Sequence, residues 1–168
     1  MCVIIVKPQG VKMPNIYTLY KANARNPHGI GFCTPGRIFK TQNFCKFLDE
    51  IKKVGDEPCI IHFRYATHGS VGVKNCHPFE KGGLKFAHNG VLPIKAENDM
   101  TDSETAFQNI IYPAFKEYGY DAEEFNEAAE SALMGTSSKF AFMYGDHIKL
   151  FGDYIKHEGC YFSNLYFM

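Results

Sequence analysis

Tryptophan is missing from the 168 residues, so the aromatic content rests on 15 Phe and 10 Tyr. Net charge is missing as well. Eighteen Lys and Arg balance eighteen Asp and Glu, which argues against a broad electrostatic surface for nucleic acid. The six cysteines, at positions 2, 33, 45, 59, 76 and 160, form no C-x-x-C pair, which excludes a zinc ribbon and a thioredoxin-type site. No apolar run approaches the length of a transmembrane helix. The opening "MCVIIVKPQG" places only four apolar residues between Cys2 and Lys7, too few for a signal peptide. These absences predict a cytoplasmic protein with reduced thiols, most of them acting as small buried hydrophobes. No linker, low-complexity tract or repeat interrupts the chain, whose length suits one domain over residues 1–168. A domain of this size buries roughly 70% of its unfolded surface without needing disulfides.

"CVIIVK" is apolar at consecutive positions, as in a strand buried on both faces. Pro14 suits the first turn of a short helix through "NIYTLYKANA". "GIGFCTPGRIFK" reads as a hairpin turned at Pro35-Gly36. In "TQNFCKFLDEIKKVG", Phe44, Phe47, Leu48 and Ile51 form the apolar stripe of a helix that Gly55 stops. "EPCIIHFRYATHG" is a second buried strand running into a loop, and "GGLKFAHNG" a third strand. "TDSETAFQNIIYPAFKEYG" opens with a helix-start signature that Thr101 or Asp102 can cap, and Pro113 is expected to kink or end that helix. "DAEEFNEAAESALMG" is a further helix, "SKFAFMYGDHIKLFG" a hairpin turned near Gly145-Asp146, and "CYFSNLYF" a final strand. Strands, helix, strands, two helices, strands: this order predicts an α+β fold built on mostly antiparallel sheet.

Four local features bear chemistry, each with a plainer reading beside it. Cys2 is a buried strand cysteine or, once Met1 is removed, a nucleophile whose own α-amine titrates near neutral pH and serves as its base. In "HFRYATHG", Arg64 offers a planar fork for a carboxylate, with Thr67 and His68 as further donors beside it. The plainer readings there are a surface ion pair for Arg64 and a structural histidine for His68. Asn89-Gly90 is a strong signal for a tight hairpin turn. The same pair can also aim a side-chain N–H and a backbone N–H at one developing oxyanion. In "TDSE", Asp102 either caps a helix or holds an ammonium group.

The ordered set "MCVI", "RYATHG", "HNG" and "TDSE" resembles the class II glutamine amidotransferase domain, a branch of the N-terminal-nucleophile hydrolases. "RNPHGIGF", "NCHPF" and the late "IKLFGDYIKHEGCYFSN" extend the similarity from Cys2 to about Asn164. The resemblance implies a four-layer αββα sandwich of two antiparallel sheets. It implies that Cys2 attacks the carboxamide of glutamine and that Asn89 and the Gly90 N–H hold the oxyanion. Arg64, helped by Thr67 or His68, would bind the substrate α-carboxylate, and Asp102 its α-ammonium. Arg25 would sit beside the nucleophile. No metal and no organic cofactor would be needed. Four positions depart from the family pattern: Val3 for Gly, Tyr65 for Trp, Thr101 for Ser and His28 for Asp. Val3 is expected to stiffen the strand and narrow the space around the nucleophile.

Many members of the family carry a second domain that consumes the ammonia, and none follows here, so a stand-alone form is expected. Three functions are compatible with these residues. The chain hydrolyses glutamine for a separate ammonia-accepting partner enzyme, hydrolyses a γ-glutamyl conjugate of a small molecule, or serves as an inactive binding or regulatory domain. Neither nucleic acid nor membrane is an expected partner.

Overall fold

The computed structural model describes residues 2–66, 71–97 and 100–168. Among these residues, all strand pairings are antiparallel and fall into two sheets. The first holds β1 (Val3–Lys7), β2 (Ile30–Thr34), β3 (Arg37–Thr41), β4 (Cys59–Phe63), β9 (Ile155–His157) and β10 (Cys160–Phe162), in the order β3-β2-β4-β1-β10-β9. The second holds β5 (Phe79–Lys81), β6 (Leu84–Asn89), β7 (Lys139–Tyr144) and β8 (His147–Phe151), in that order.

The apolar run of β1 has the explanation that a doubly buried strand requires. Val3 and Ile5 face α1 (Ile16–Arg25) and α2 (Phe44–Ile51) through Leu19, Ala22, Phe47 and Ile51. Ile4 and Val6 face the second sheet, packing with Ile60, Ala87, Ala141 and Met143. Small alanines on β6 and β7 let the sheets approach. On the far side of the second sheet, Leu84, Phe86, Phe140 and Phe142 pack against α3 (Asp102–Ala106) and α5 (Glu123–Leu133). Helices, sheet, sheet, helices: this is the αββα sandwich. Val3 therefore points into the helix-side core, away from the space between the sheets.

Several local expectations change. Asn89-Gly90 is not a hairpin turn: Asn89 ends β6 opposite Lys139 of β7, and the chain leaves toward α3. The hairpin turn of β6 lies at its other end, Gly82-Gly83, where φ is 58° and 82°, angles that glycine adopts without strain. Strands β5 and β9 are additional to the expected set. The final strand stops at Phe162, short of Tyr166 and Phe167. Pro113 does not end its helix. A wide π turn over Phe107–Ile111 precedes α4 (Tyr112–Tyr118), and Gly119 at φ 93° closes it. The wider turn accommodates a ring that would clash with the carbonyl four residues back. Among the described residues, no helix is long and apolar enough to cross a membrane.

Candidate active site

Cys2 stands at the entry to β1, half buried. Its Sγ lies on the Tyr65 peptide, accepting from the Tyr65 N–H at 3.2 Å and donating to the Tyr65 carbonyl at 3.4 Å. Burial raises the thiol pKa, opposed by the Tyr65 N–H and by the charge of Arg64. The resting group is thus the thiol, and a thiol becomes strongly nucleophilic only when a base takes its proton. The Cys2 carbonyl accepts from Asn164 Nδ2 at 2.9 Å, which holds the backbone of the residue in place.

Arg64 follows β4 directly and is 4% exposed, which sets aside a surface ion pair. Its backbone is tied to the turn before β2, where the Arg64 N–H donates to the Gly29 carbonyl at 2.8 Å and the His28 N–H to the Arg64 carbonyl at 3.0 Å. His28 also accepts from the Ala66 N–H through Nδ1 at 2.9 Å, an acceptor role that an aspartate oxygen also fills. Cys2, Arg64, Gly90 and Asp102 share the walls of one cavity.

Asp102 does not cap α3. Thr101 does, accepting from the Glu104 N–H at 3.2 Å. Asp102 Oδ2 accepts from the Leu92 N–H at 2.8 Å, leaving its carboxylate at the cavity wall opposite in charge to Arg64.

Asn89 lies on the inter-sheet face of β6, 3% exposed, and with Cys2, Gly90, Tyr65, Val91 and Leu92 it lines a second cavity of ≈ 600 Å³. Gly90 has φ 141°, and a Cβ there would fall 2.1 Å from Ser138 Oγ. Only glycine fits this crossing.

Arg25 is the exception among the expected residues. It is the last residue of α1, exposed, and is not among the residues that line either cavity. Its charge sits at the helix C-terminus, where a cation is favoured. Thr67 and His68 lie outside the described residues.

The structure adds residues that motif reading passes over. His62, His77 and His88 wall the same cavity as Arg64 and Asp102. The His62 and His77 rings are 4.5 Å apart, and His88 Nδ1 lies 2.7 Å from Ser103 Oγ. Each stands within a quoted motif, His62 opening "HFRYATHG", His77 in "NCHPF" and His88 in "HNG". Burial pushes His62 down to about 3 and His88 to about 4, the latter opposed by Asp102, and pushes His77 well down too. Folded pKa values below the unfolded value of about 6.5 mean that the unfolded chain binds the extra protons. Stability present above pH 6.5 is therefore lost as pH falls toward 4. The unfolding free energy should drop by roughly 1 kcal/mol per pH unit for each such histidine. Urea midpoints measured between pH 7 and pH 4 check this, and a flat profile contradicts it.

A family model described as glutamine amidotransferases class-II matches residues 40–153. The glutamine–fructose-6-phosphate aminotransferase of Vibrio parahaemolyticus is 39% identical over 56 residues, 33% of this chain and 9% of that protein. The amidophosphoribosyltransferase of Drosophila melanogaster is 48% identical over 48 residues, 26% of this chain and again 9% of the relative. The matched stretches thus span about a tenth of these curated relatives. Among solved structures, the glutamine phosphoribosylpyrophosphate amidotransferase of B. subtilis superposes with a TM-score of 0.62 at 18% identity, covering 96% of this chain and 41% of its own. A predicted glutamine amidotransferase from Pseudomonas aeruginosa PA01 gives 0.52 at 20% identity, covering 95% and 78%. At these identities, the superpositions speak for the fold.

Proposed function

Because the chain belongs to the class-II glutamine amidotransferases, we propose that it hydrolyses the side-chain amide of glutamine through Cys2, with ammonia passed to a separate acceptor enzyme. The observation that carries this reading is the single cavity walled by Cys2, Arg64, Gly90 and Asp102. A free amino acid carries one carboxylate and one ammonium, and the walls of this ≈ 40 Å³ cavity, which shares Cys2, Tyr65 and Gly90 with the ≈ 600 Å³ one, include one arginine and one aspartate. Arg64 takes the α-carboxylate, with Thr67 and His68 as neighbouring donors, and Asp102 takes the α-ammonium.

Removal of Met1 turns the Cys2 nitrogen into a free amine. That amine accepts the thiol proton as the Sγ–carbon bond forms. The carbonyl oxygen becomes an oxyanion, held by the Gly90 N–H and the Asn89 carboxamide. The carbon–nitrogen bond then breaks, and the leaving nitrogen takes the proton from the Cys2 amine and departs as ammonia. Water adds to the resulting thioester, giving its proton to the same amine. The carbon–sulfur bond breaks, glutamate leaves, and the thiol regains its proton.

The ≈ 600 Å³ cavity on the Asn89 side favours a second reading. Ammonia needs no such room, whereas the amine of a γ-glutamyl conjugate does. Comparing kcat/KM for glutamine and for γ-glutamyl anilides discriminates the two.

The central test is an intact mass before and after a glutamine-analogue electrophile. Loss of Met1 and one adduct at Cys2 support the proposal, and a retained Met1 or an unmodified Cys2 sinks it. Asp102→Asn is expected to raise KM for glutamine by roughly 10- to 100-fold, the worth of one charge-assisted bond, with a smaller change in kcat. Asparagine still accepts from the Leu92 N–H, so the loop stays in place. A KM equal to that of the unmodified chain removes Asp102 from the ammonium site.

A further inference from the structure

Ser163 follows β10 directly and is 2% exposed. Its backbone N–H donates to the Ile4 carbonyl at 2.9 Å, and its Oγ accepts from the Ile4 N–H at 2.9 Å. This reciprocal pair pins the serine beside the nucleophile strand. From there the hydroxyl reaches across to the other sheet, where Asn89 Nδ2 lies 2.9 Å from Oγ. The other carboxamide atom, Asn89 Oδ1, is buried with no hydrogen-bond partner among the described residues.

In that orientation, Ser163 Oγ accepts two N–H groups while its own proton finds no use in the pair, and a buried acceptor goes unmet. Half a turn of the carboxamide exchanges nitrogen and oxygen without changing the shape of the side chain. The Ser163 O–H then donates to Asn89 Oδ1, and Oγ still accepts from Ile4. The amide nitrogen, now in the buried place of Oδ1, has no partner among the described residues, and its side chain lines the same cavity as Cys2 and Gly90. A hydroxyl is the group that suits this switch, because it both donates and accepts.

We propose that Ser163 is a positioning residue that holds the Asn89 carboxamide with its nitrogen toward the oxyanion formed at Cys2. The inference rests on the reading under Proposed function and adds a residue to it. Ser163 touches no substrate. It acts through Asn89, and it ties the oxyanion donor on one sheet to the nucleophile strand on the other. The next residue, Asn164, holds the Cys2 carbonyl, so two consecutive side chains after β10 serve the two halves of the same step.

The test uses the full chain with Met1 removed, as confirmed by mass, and glutamine or γ-glutamyl anilide as substrate. Ser163→Ala is expected to lower kcat roughly 10- to 100-fold, as for loss of an oxyanion contact, with KM changed less than about threefold. Alkylation of Cys2 by iodoacetamide forms no oxyanion and should keep its rate within about threefold of the unmodified chain. Ser163→Thr, which retains the hydroxyl, should recover most of the loss. Added to Asn89→Ala, Ser163→Ala should cost less than about threefold more, because both act through one group. Full kcat in Ser163→Ala, losses that multiply in the double variant, or a Thr variant as slow as Ala would each overturn the proposal. If Ser163→Ala does not fold, Ser163→Cys keeps the shape of the side chain at a slightly larger volume and weakens the donor. It should show the same loss in kcat, and full kcat there overturns the proposal as well. A starting chain that hydrolyses neither substrate refutes the hydrolytic reading and this inference with it. An active chain indifferent to Ser163 refutes the inference alone.

Discussion

Cys2→Ala is expected to lower glutamine hydrolysis by about 10⁴-fold or more, as removal of a nucleophile does elsewhere. The fold should survive the change, since among the described residues the hydrogen bonds of Sγ are those to the Tyr65 peptide and Cys2 stands outside the main apolar clusters. The same loss is expected of a chain that keeps Met1. There the Cys2 nitrogen is an amide with no basic lone pair, and burial keeps the thiol in its neutral form. An ammonia-coupled assay with matched circular dichroism measures both. A residual rate above about 1% of the unmodified chain would mean that another group performs the attack.

Asn89→Asp should reduce kcat by roughly 10²- to 10³-fold, the cost of losing one oxyanion donor. Aspartate has nearly the shape of asparagine and still accepts from the Ser163 hydroxyl. It has no N–H to offer, and when ionised it places a negative charge where another develops. Because Asn89 ends a strand opposite Lys139 rather than forming a turn, the loss cannot be assigned to turn geometry. Steady-state kinetics with a thermal melt separate a rate effect from unfolding. Normal hydrolysis by this variant would reduce Asn89-Gly90 to a backbone feature.

Much of the site was legible along the chain, because each part of it is local. "HFRYATHG" carries Arg64 off the end of β4, "HNG" carries Asn89 and Gly90 off β6, and "TDSE" opens α3. Residue type and strand-end position suffice to suggest a role for such groups. The choice between Thr101 and Asp102 was not legible. Both can cap, and only the arrival of the Leu92 N–H at Asp102 decides it. Arg25 shows the converse. Its motif is suggestive, yet α1 carries it to the solvent side of the helix layer.

The sequence alone determined the doubly buried β1, most of the strands and helices, the antiparallel α+β class and the ordered motifs that identify the family. Each of these depends on residue pattern within a short window. Tertiary structure decided what meets across the sandwich. Ser163 reaches Asn89 from 74 residues away, and Ser138 leaves room at Gly90 only for hydrogen. The three buried histidines come from three separate segments. Such contacts follow from how two twisted sheets pack face to face, and no local pattern records which side chains that packing brings within hydrogen-bond distance.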